Sequence, residues 1–351
     1  MSEWSVAEPK KLTFDEPVSE LHVRIVNGTV NVVGTEEGSA RLEVSRIDGP
    51  PLVVTQQDGT LTVAYEDLPW KGFLKWLDRK GWRRSAVVSL AVPTRTRVEV
   101  GVVSAAAVVS GIDGHAEVKG VSGDTTLVAL SGPVRADTVS GSVEAQALTG
   151  DLRFNSVSGD LTVVEGAGSS VKADSVSGSM IVDVDPTSRP TDITLTSVSG
   201  EIAIRLPHPA DTQVEANTAS GTVSNAFEDL RVSGQWGAKR ITGRLGAGNG
   251  RLKATTVSGS IALLRRPPAE DEPWDVESDD VHPDDMGPAT EDRQPKSAAP
   301  ATEDTQGASP AGPAQGAQSD SGDNSVSGRG EGSKSTPTST PADGTTDKKV
   351  L

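Results

Sequence analysis

Seven glycines stand nine residues apart, at Gly114, Gly123, Gly132, Gly141, Gly150, Gly159 and Gly168. A period that short leaves room for one strand and one turn per unit, so it constrains the fold before any other feature is weighed. Counting from each glycine, the second, fourth and seventh positions are mostly apolar, as in Val134, Ala136 and Val139 or Leu152, Phe154 and Val157. The intervening Arg135, Asp137, Arg153 and Asn155 are polar. Alternation at period two marks a strand with one buried face. Each unit therefore reads as a strand of about five residues, roughly 17 Å long, closed by a turn of about four.

The period is also doubled. Val-Ser-Gly recurs at 121–123, 139–141, 157–159, 176–178, 198–200 and 257–259, whereas the units between end Leu-Ser-Gly at 130–132 and Leu-Thr-Gly at 148–150. The same environment returns every eighteen or so residues. The simplest structure that does this is an all-β solenoid, β-helix-like, whose coils of roughly 18 residues hold two short, unequal strands. Small inward residues such as Ala136 and Ala145 suit a narrow core. A meander of antiparallel hairpins is the rival, disfavoured because few turns carry Asn-Gly or Asp-Gly. In the solenoid reading Gly114, Gly123, Gly132, Gly141, Gly150, Gly159, Gly178, Gly200, Gly221 and Gly259 are structural turn residues. Gly141 and Gly159 are expected at positive φ, with the preceding serine bonding the turn backbone. The column Val139, Val157, Val176 and Val198 is expected to be buried and stacked.

Strand patterns extend the repeat in both directions, giving a β-strand-repeat solenoid over 12–266, preceded by a disordered N-terminus at 1–11. From Pro267 to the end, 85 residues hold 11 of the 22 prolines, with 18 acidic and six basic side chains. Such a composition cannot bury enough apolar surface to offset chain entropy. Residues 267–351 read as a disordered acidic tail of net charge −12, which accounts for most of the −16 of the whole chain.

Little in the sequence points to chemistry. With no cysteine there is no disulfide, thiolate metal site or cysteine nucleophile. The acidic balance argues against a general nucleic-acid binder, whose affinity comes from Lys and Arg on phosphates. His22, His115, His208 and His282 lack neighbours at metal-ligand spacing. Gly246-Ala247-Gly248-Asn249-Gly250 resembles a phosphate cradle, but a strand pattern follows where a dinucleotide site needs a helix, so it reads as a loop between coils. Ser122, Ser140, Ser158, Ser177 and Ser199 form a column, with Asp124, Asp151 and Asp160 near it. Turn chemistry explains both better than calcium or glycan binding. Asp137, Asp174 and Glu144 are too scattered for a polysaccharide-cleaving site. The expectation is a non-enzyme with no cofactor and no metal. No apolar run is long enough to span a bilayer, and the start lacks a basic stretch followed by an apolar one. That reading places the chain in the cytoplasm.

One segment escapes the repeat. At 68–85 an insertion carries Trp70, Lys71, Phe73, Leu74, Lys75, Trp76, Leu77, Arg79, Lys80, Trp82, Arg83 and Arg84, with Asp78 as its only acid within 70–84. On a helix Trp70, Phe73, Leu74 and Leu77 would form an apolar stripe. Such a helix either covers the solenoid or contacts an anionic membrane, with tryptophans at the interface and cations on headgroups. These twelve residues are the candidate membrane-binding or partner-binding set. The acidic tail, tethered to the same chain, is expected to compete for them.

The Ser-Val-Ser-Gly runs that open strands at 156–163, 175–182 and 197–204, the Asn27-Gly28 turn, the Leu90-Ala91-Val92-Pro93 strand end and the closing Val257-Ser258-Gly259-Ser260-Ile261 carry a resemblance. The chain resembles the bacterial putative-adhesin family of β-strand-repeat proteins, a domain of unknown function. That resemblance implies a structural motif without catalytic residues, and its name implies adhesion. The functional expectation is a non-enzymatic adhesin-like binding or scaffold protein, peripheral at the inner membrane face of a bacterial envelope. Its partner would be an unidentified protein or an anionic membrane surface, and its state a monomer or small oligomer. The alternatives are a cytoskeletal or adhesive polymer of stacked solenoids, which needs uncapped terminal coils, and a polysaccharide-active β-helix enzyme.

Overall fold

The computed structural model describes residues 1–66, 84–186 and 192–266. The described strands belong to one compact unit, Met1–Glu277, and a second unit, Ser278–Leu351, lies outside the described residues, as does the rest of the expected tail. The chain opens with β1 (Ser2–Val6) and β2 (Lys10–Phe14), then β3 (Glu20–Ile25), β4 (Asn27–Thr35), β5 (Ala40–Asp48), β6 (Leu52–Gln57), β7 (Thr60–Tyr65) and β8 (Ser85–Pro93). Regular two-strand coils follow: β9 (Arg97–Val102) with β10 (Ala106–Ser110), β11 (Ala116–Gly120) with β12 (Thr125–Val128), and β13 (Val134–Thr138) with β14 (Val143–Gln146). They continue as β15 (Leu152–Ser156) with β16 (Leu161–Gly166), β17 (Ser170–Asp174) with β18 (Met180–Val184), and β19 (Asp192–Ser197) with β20 (Ile202–Leu206). An excursion through β21 (Thr212–Thr218), β22 (Val223–Asn225), β23 (Arg231–Gln235) and β24 (Ala238–Leu245) precedes a last coil, β25 (Gly250–Thr256) with β26 (Ile261–Arg265).

The odd-numbered strands of the coils stack in one sheet of 14 strands and the even-numbered in another of 12. The central pairings are parallel and in register at the eighteen-residue offset, for example Val134 beside Leu152 and Ala136 beside Phe154. This is the expected solenoid. The first eleven residues, expected to be disordered, instead supply β1 and the start of β2, which pair antiparallel with β6 and β5. At the far end β24 runs antiparallel to β21, and β23 antiparallel to β24. The N-terminal end is thus closed by antiparallel strands in both sheets and the C-terminal end by the β23–β24 hairpin on one, beside the three-residue edge strand β22. An end-to-end polymer would need terminal coils left open to parallel stacking, and this arrangement disfavours it.

Between the sheets lies a narrow apolar core in which Val134, Ala136, Leu152, Phe154, Val143, Ala145, Leu161 and Val163 are all buried. The two kinds of corner differ. Where the chain returns from the 12-stranded sheet, Ile112, Leu130 and Leu148 turn inward and are buried. The residue before each takes a left-handed conformation, at Gly111 (φ 65°), Ala129 (φ 52°) and Ala147 (φ 53°), and this breaks the in-out alternation so that the next side chain points to the core. Where the chain leaves the 14-stranded sheet no such residue intervenes, and alternation carries the valine outward. Val157, Val176, Val198 and Val257 are 51%, 48%, 46% and 52% exposed. The expectation of a buried valine column is therefore corrected: in the Val-Ser-Gly units the seventh position faces solvent.

The role of the repeat glycines is corrected as well. Gly141 and Gly159 are not among the positive-φ glycines. They are required because a Cβ on Gly141 would overlap the carbonyl of Gly123 one coil away, and one on Gly159 would overlap that of Gly141. The same holds up the stack for Gly178, Gly200, Gly259 and Gly221, and on the opposite edge for Gly132, Gly150 and Gly168. The glycine N–H is held by a hydroxyl three residues earlier: Thr138 to Gly141 at 3.1 Å, Ser156 to Gly159 at 2.7 Å, Ser175 to Gly178 at 3.0 Å and Ser197 to Gly200 at 2.9 Å. The serine directly before the glycine serves the next link instead. Ser140 and Ser158 donate to the carbonyls of Val121 and Val139 in the neighbouring coil.

Four substitutions test this reading. Phe154→Ala should cost about 3–5 kcal/mol, while Val157→Thr should change stability by no more than about 0.5 kcal/mol, measured by denaturant unfolding. Gly159→Ala should cost about 1–3 kcal/mol or more although its φ is ordinary, because the methyl group forces two coils apart. The coil at Gly120 lacks the capping hydroxyl, and a Cβ there meets its nearest atom, Thr138 Oγ1, at an unstrained 3.6 Å. Gly120→Ser should restore the cap to Gly123 and add about 0.5–1.5 kcal/mol.

Candidate functional site

The edge at which the chain leaves the 14-stranded sheet collects most of what is chemically distinctive. Stacked coils bring Val121, Val139, Val157, Val176, Val198 and Val257 into one line, with Ala219 in the equivalent place at the end of β21. Exposure rises from the half-buried Val121 and Val139 to the four exposed valines. Polar groups beside this line are occupied by the fold. Ser177, Ser199 and Ser258 donate to valine carbonyls across the coil boundary. The Asp124 and Asp160 carboxylates accept the backbone N–H of Ser142 and Ser179 one coil on, at 3.0 and 2.7 Å. Asp151 on the other edge accepts from Ser169.

The candidate set from Trp70 to Arg83 lies outside the described residues; Arg84 is the one member within them. The register nevertheless fixes where the segment leaves and rejoins the fold. Tyr65 ends β7 and Ser85 begins β8, so the segment replaces a Val-Ser-Gly corner on this same edge. Its base is tied down: the Arg84 guanidinium sits 5.5 Å from the centre of the buried Tyr65 ring, and the Asn27 side-chain amide donates to the Arg84 carbonyl at 3.0 Å. Burial raises the Tyr65 phenol above its ordinary pKa, with Arg84 opposing.

One aromatic escaped the sequence reading. Trp236 occupies the first loop position of the β23–β24 hairpin at φ 54°, followed by Gly237 at φ 91°, and it is fully exposed, at 102%. The signal was a Trp-Gly pair between two polar strands, masked because the usual hairpin pairs are Asn-Gly and Asp-Gly. The equivalent β6–β7 loop does carry Asp58-Gly59, at φ 51° and 79°.

His22, expected to stand alone, has spatial neighbours from its own and the next strand. Its Nε2 lies 3.2 Å from Glu20 Oε1 and 3.8 Å from Glu99 Oε2. The three groups could together ligate a metal ion. However, Arg97 approaches both carboxylates, at 3.5 Å to Glu20 and 3.1 Å to Glu99. Burial pulls the Arg24 guanidinium below its ordinary value while Glu99 opposes the shift. Two carboxylates facing two guanidinium groups are already neutralised, so a cation would compete with Arg97 for its ligands. Among the residues weighed for polysaccharide chemistry, Asp137 and Asp174 share a row of the 14-stranded sheet with Asn155 between them, and Glu144 lies on the other sheet. Asp137 is held by Arg135 at 2.7 Å and by Asn155 at 2.6 Å.

The glycine-rich loop at 246–250 does cradle an anion, and the anion belongs to the chain. Gly246 and Gly248 sit at positive φ (59° and 75°), turning successive backbone N–H groups to one side. Asp211 Oδ1 accepts from Gly248 at 2.6 Å and from Asn249 at 3.1 Å, while the Asn249 side chain donates to Oδ2 at 2.6 Å. These bonds from Asn249, then Gly248 and Ala247, hold the carboxyl below the usual carboxylate range. A carboxylate whose folded pKa is depressed contributes stability above its unfolded value, lost as pH falls through the folded one. Asp211→Ala should therefore speed amide hydrogen exchange at Gly248 and Asn249 at neutral pH. In the parent protein the same speeding should appear only as pH drops below about 3.9.

No curated protein matches the chain. Three solved structures are similar to the chain at low identity. A putative lipid binding protein from Parabacteroides distasonis is 12% identical over 75% of this chain and 98% of its own, with a TM-score of 0.41. A putative adhesin from Bacteroides fragilis is 11% identical over 74% and 98%, with a TM-score of 0.36. A putative cell adhesion protein from Clostridium sporogenes is 11% identical over 74% and 100%, with a TM-score of 0.26. The profile of the Toastrack DUF4097 family, a domain of unknown function, matches residues 18–264, the whole repeat from just before β3 to the last strand. The chain belongs to the Toastrack DUF4097 family.

Proposed function

We infer that this protein is a non-enzymatic, adhesin-like binding or scaffold module that works peripherally at an anionic membrane surface, on the inner face of the envelope. The observation that supports this most is how the outer polar groups are used. Serine hydroxyls, turn carboxylates and the 246–250 amides are engaged in hydrogen bonds within the fold. What is left for a partner is surface: an apolar line of valines on one long edge, and on the same edge the junction of a segment rich in Trp, Lys and Arg. Rigid coils with fixed side-chain spacing suit a scaffold, and the basic aromatic segment suits anionic headgroups.

The full chain, mixed at low salt with vesicles carrying about a third anionic lipid, should sediment with them. Exchanging Lys71, Lys75, Arg79, Lys80, Arg83 and Arg84 for Gln should weaken that binding by well over tenfold, since each cation near the surface contributes about 1 kcal/mol. The parent's binding should fall as salt rises. Binding by the sixfold variant equal to that of the parent would remove the segment from the function.

A further inference from the structure

The exposed Trp236 lies on the same edge as the valine line and the 66–84 junction. Strand β24 runs antiparallel to β21, with Lys239 beside Thr218 and Arg240 beside Asn217. Its beginning therefore lies where β21 ends and the Ala219-Ser220-Gly221 corner starts. A Cβ on Gly237 would sit 3.9 Å from the Ala219 carbonyl, so the loop caps that corner. From the β7–β8 coil to the β21–β22 coil the edge counts nine strand spacings, about 43 Å. One end holds the junction of the Trp-rich segment and the other holds Trp236, with the exposed valines between.

Nothing in the fold calls for tryptophan at this loop position. A two-residue loop with both residues at positive φ favours Asn or Asp first, as Asp58 shows in this same chain, and a bulky residue there is strained. The indole is fully exposed, so it contributes no packing. The hairpin itself stands clear of the core: all five residues of β23 and the first three of β24 are exposed, Val232 among them. Behind the loop lies an open hollow of about 400 Å³, to whose lining Asn217, Thr218, Ser233, Gln235, Lys239 and Arg240 contribute. Arg240 pairs with Glu215, and no ion pair is formed by Lys239 among the described residues. A projecting indole with a lysine set behind it suits a bilayer surface, where the ring sits at headgroup level and the cation meets anionic lipid.

We propose that the β23–β24 hairpin is a contact with the anionic lipid surface, in which Trp236 enters the interface and Lys239 meets headgroups at the hollow behind the loop. The proposal rests on the membrane reading above and adds a second point of attachment at the far end of the valine edge. Two attachments on one rigid edge lay the solenoid lengthwise on the surface. The carboxylates along the middle, Asp124 and Asp160, leave the electrostatic attraction to the two ends.

The test compares four full-length proteins on vesicles of neutral lipid and of neutral lipid with about a third phosphatidylglycerol: the parent, Trp236→Asn, Lys239→Gln and the sixfold Gln variant. Asn suits the left-handed loop position, so Trp236→Asn should unfold at the same temperature as the parent or higher. It should bind anionic vesicles at least about fivefold more weakly, and Lys239→Gln about fivefold more weakly. The parent's tryptophan emission should also shift to the blue on binding, by more than that of Trp236→Asn. Binding by Trp236→Asn equal to the parent's, with the sixfold variant impaired, overturns the hairpin contact alone and leaves a protein partner for that end of the edge. Failure of the parent to bind anionic vesicles overturns the membrane reading together with the hairpin.

Discussion

The approach of one glycine to the backbone of the glycine a coil away governs the rest of this structure. At each Val-Ser-Gly corner the glycine Cα faces a carbonyl so closely that no side chain fits between them, and the contact repeats from Gly123 to Gly221 through the stack. Because corners meet backbone to backbone, parallel strands keep the short spacing of a sheet without splaying at their ends. Close stacking in turn holds the register, and register lines up equivalent residues of successive coils. The buried hydroxyl row of Ser175, Ser197, Thr218 and Thr256 fits the same logic. Each hydroxyl satisfies the amide of a glycine pressed against its neighbour, and Gly178, Gly200 and Gly259 are closed to water.

The two long edges then diverge for a local reason with a functional consequence. On one, a left-handed residue at Ala129 and Ala147 folds the leucines into the core, and the edge is sealed. On the other, undisturbed alternation leaves valines in water. A valine contributes little to a fold from a half-exposed position, and threonine would keep the strand preference at lower apolar exposure. Four of them, Val157, Val176, Val198 and Val257, stand exposed in line toward a hairpin that carries an exposed tryptophan, and form an extended apolar border. Some acidic and basic side chains elsewhere pair with one another, as in Arg135 with Asp137 and Arg97 with Glu99.

Much of the fold was legible because it is periodic. The nine-residue and eighteen-residue repeats predict two strands per coil, and the parallel pairings of β9 through β16 have that register, which lengthens to 19 and then 22 residues in the coils that follow. What the repeat could not reveal was orientation within a corner. Val157 and Leu148 occupy equivalent positions in neighbouring units, and only the backbone of Ala147, an unremarkable residue in sequence, sends one outward and the other inward. For the same reason the glycines were assigned a turn role, when their real demand comes from a coil eighteen residues away. The N-terminal strands were missed because Ser2–Val6 is too short and polar to signal a strand alone, and its pairing partner in β6 lies about fifty residues downstream. Trp236 and the His22 cluster were invisible for a related reason, since both depend on neighbours that the topology supplies. The Asp211 nest belongs with them: 246–250 reads in sequence as a loop between coils, and its role as a cradle depends on a carboxylate that only the topology brings near.

The central claim is that one edge of the solenoid is sealed and the other open, and the absence of native cysteine allows a direct measurement. Single cysteines placed at Val157 and Val198, and in separate proteins at Leu130 and Leu148, would each be treated with a maleimide under native conditions. The account predicts that the thiols at 157 and 198 react at the rate of an exposed model thiol, while those at 130 and 148 react only as fast as the protein opens. Equal rates on the two edges, or faster labelling at 130 and 148, would contradict it.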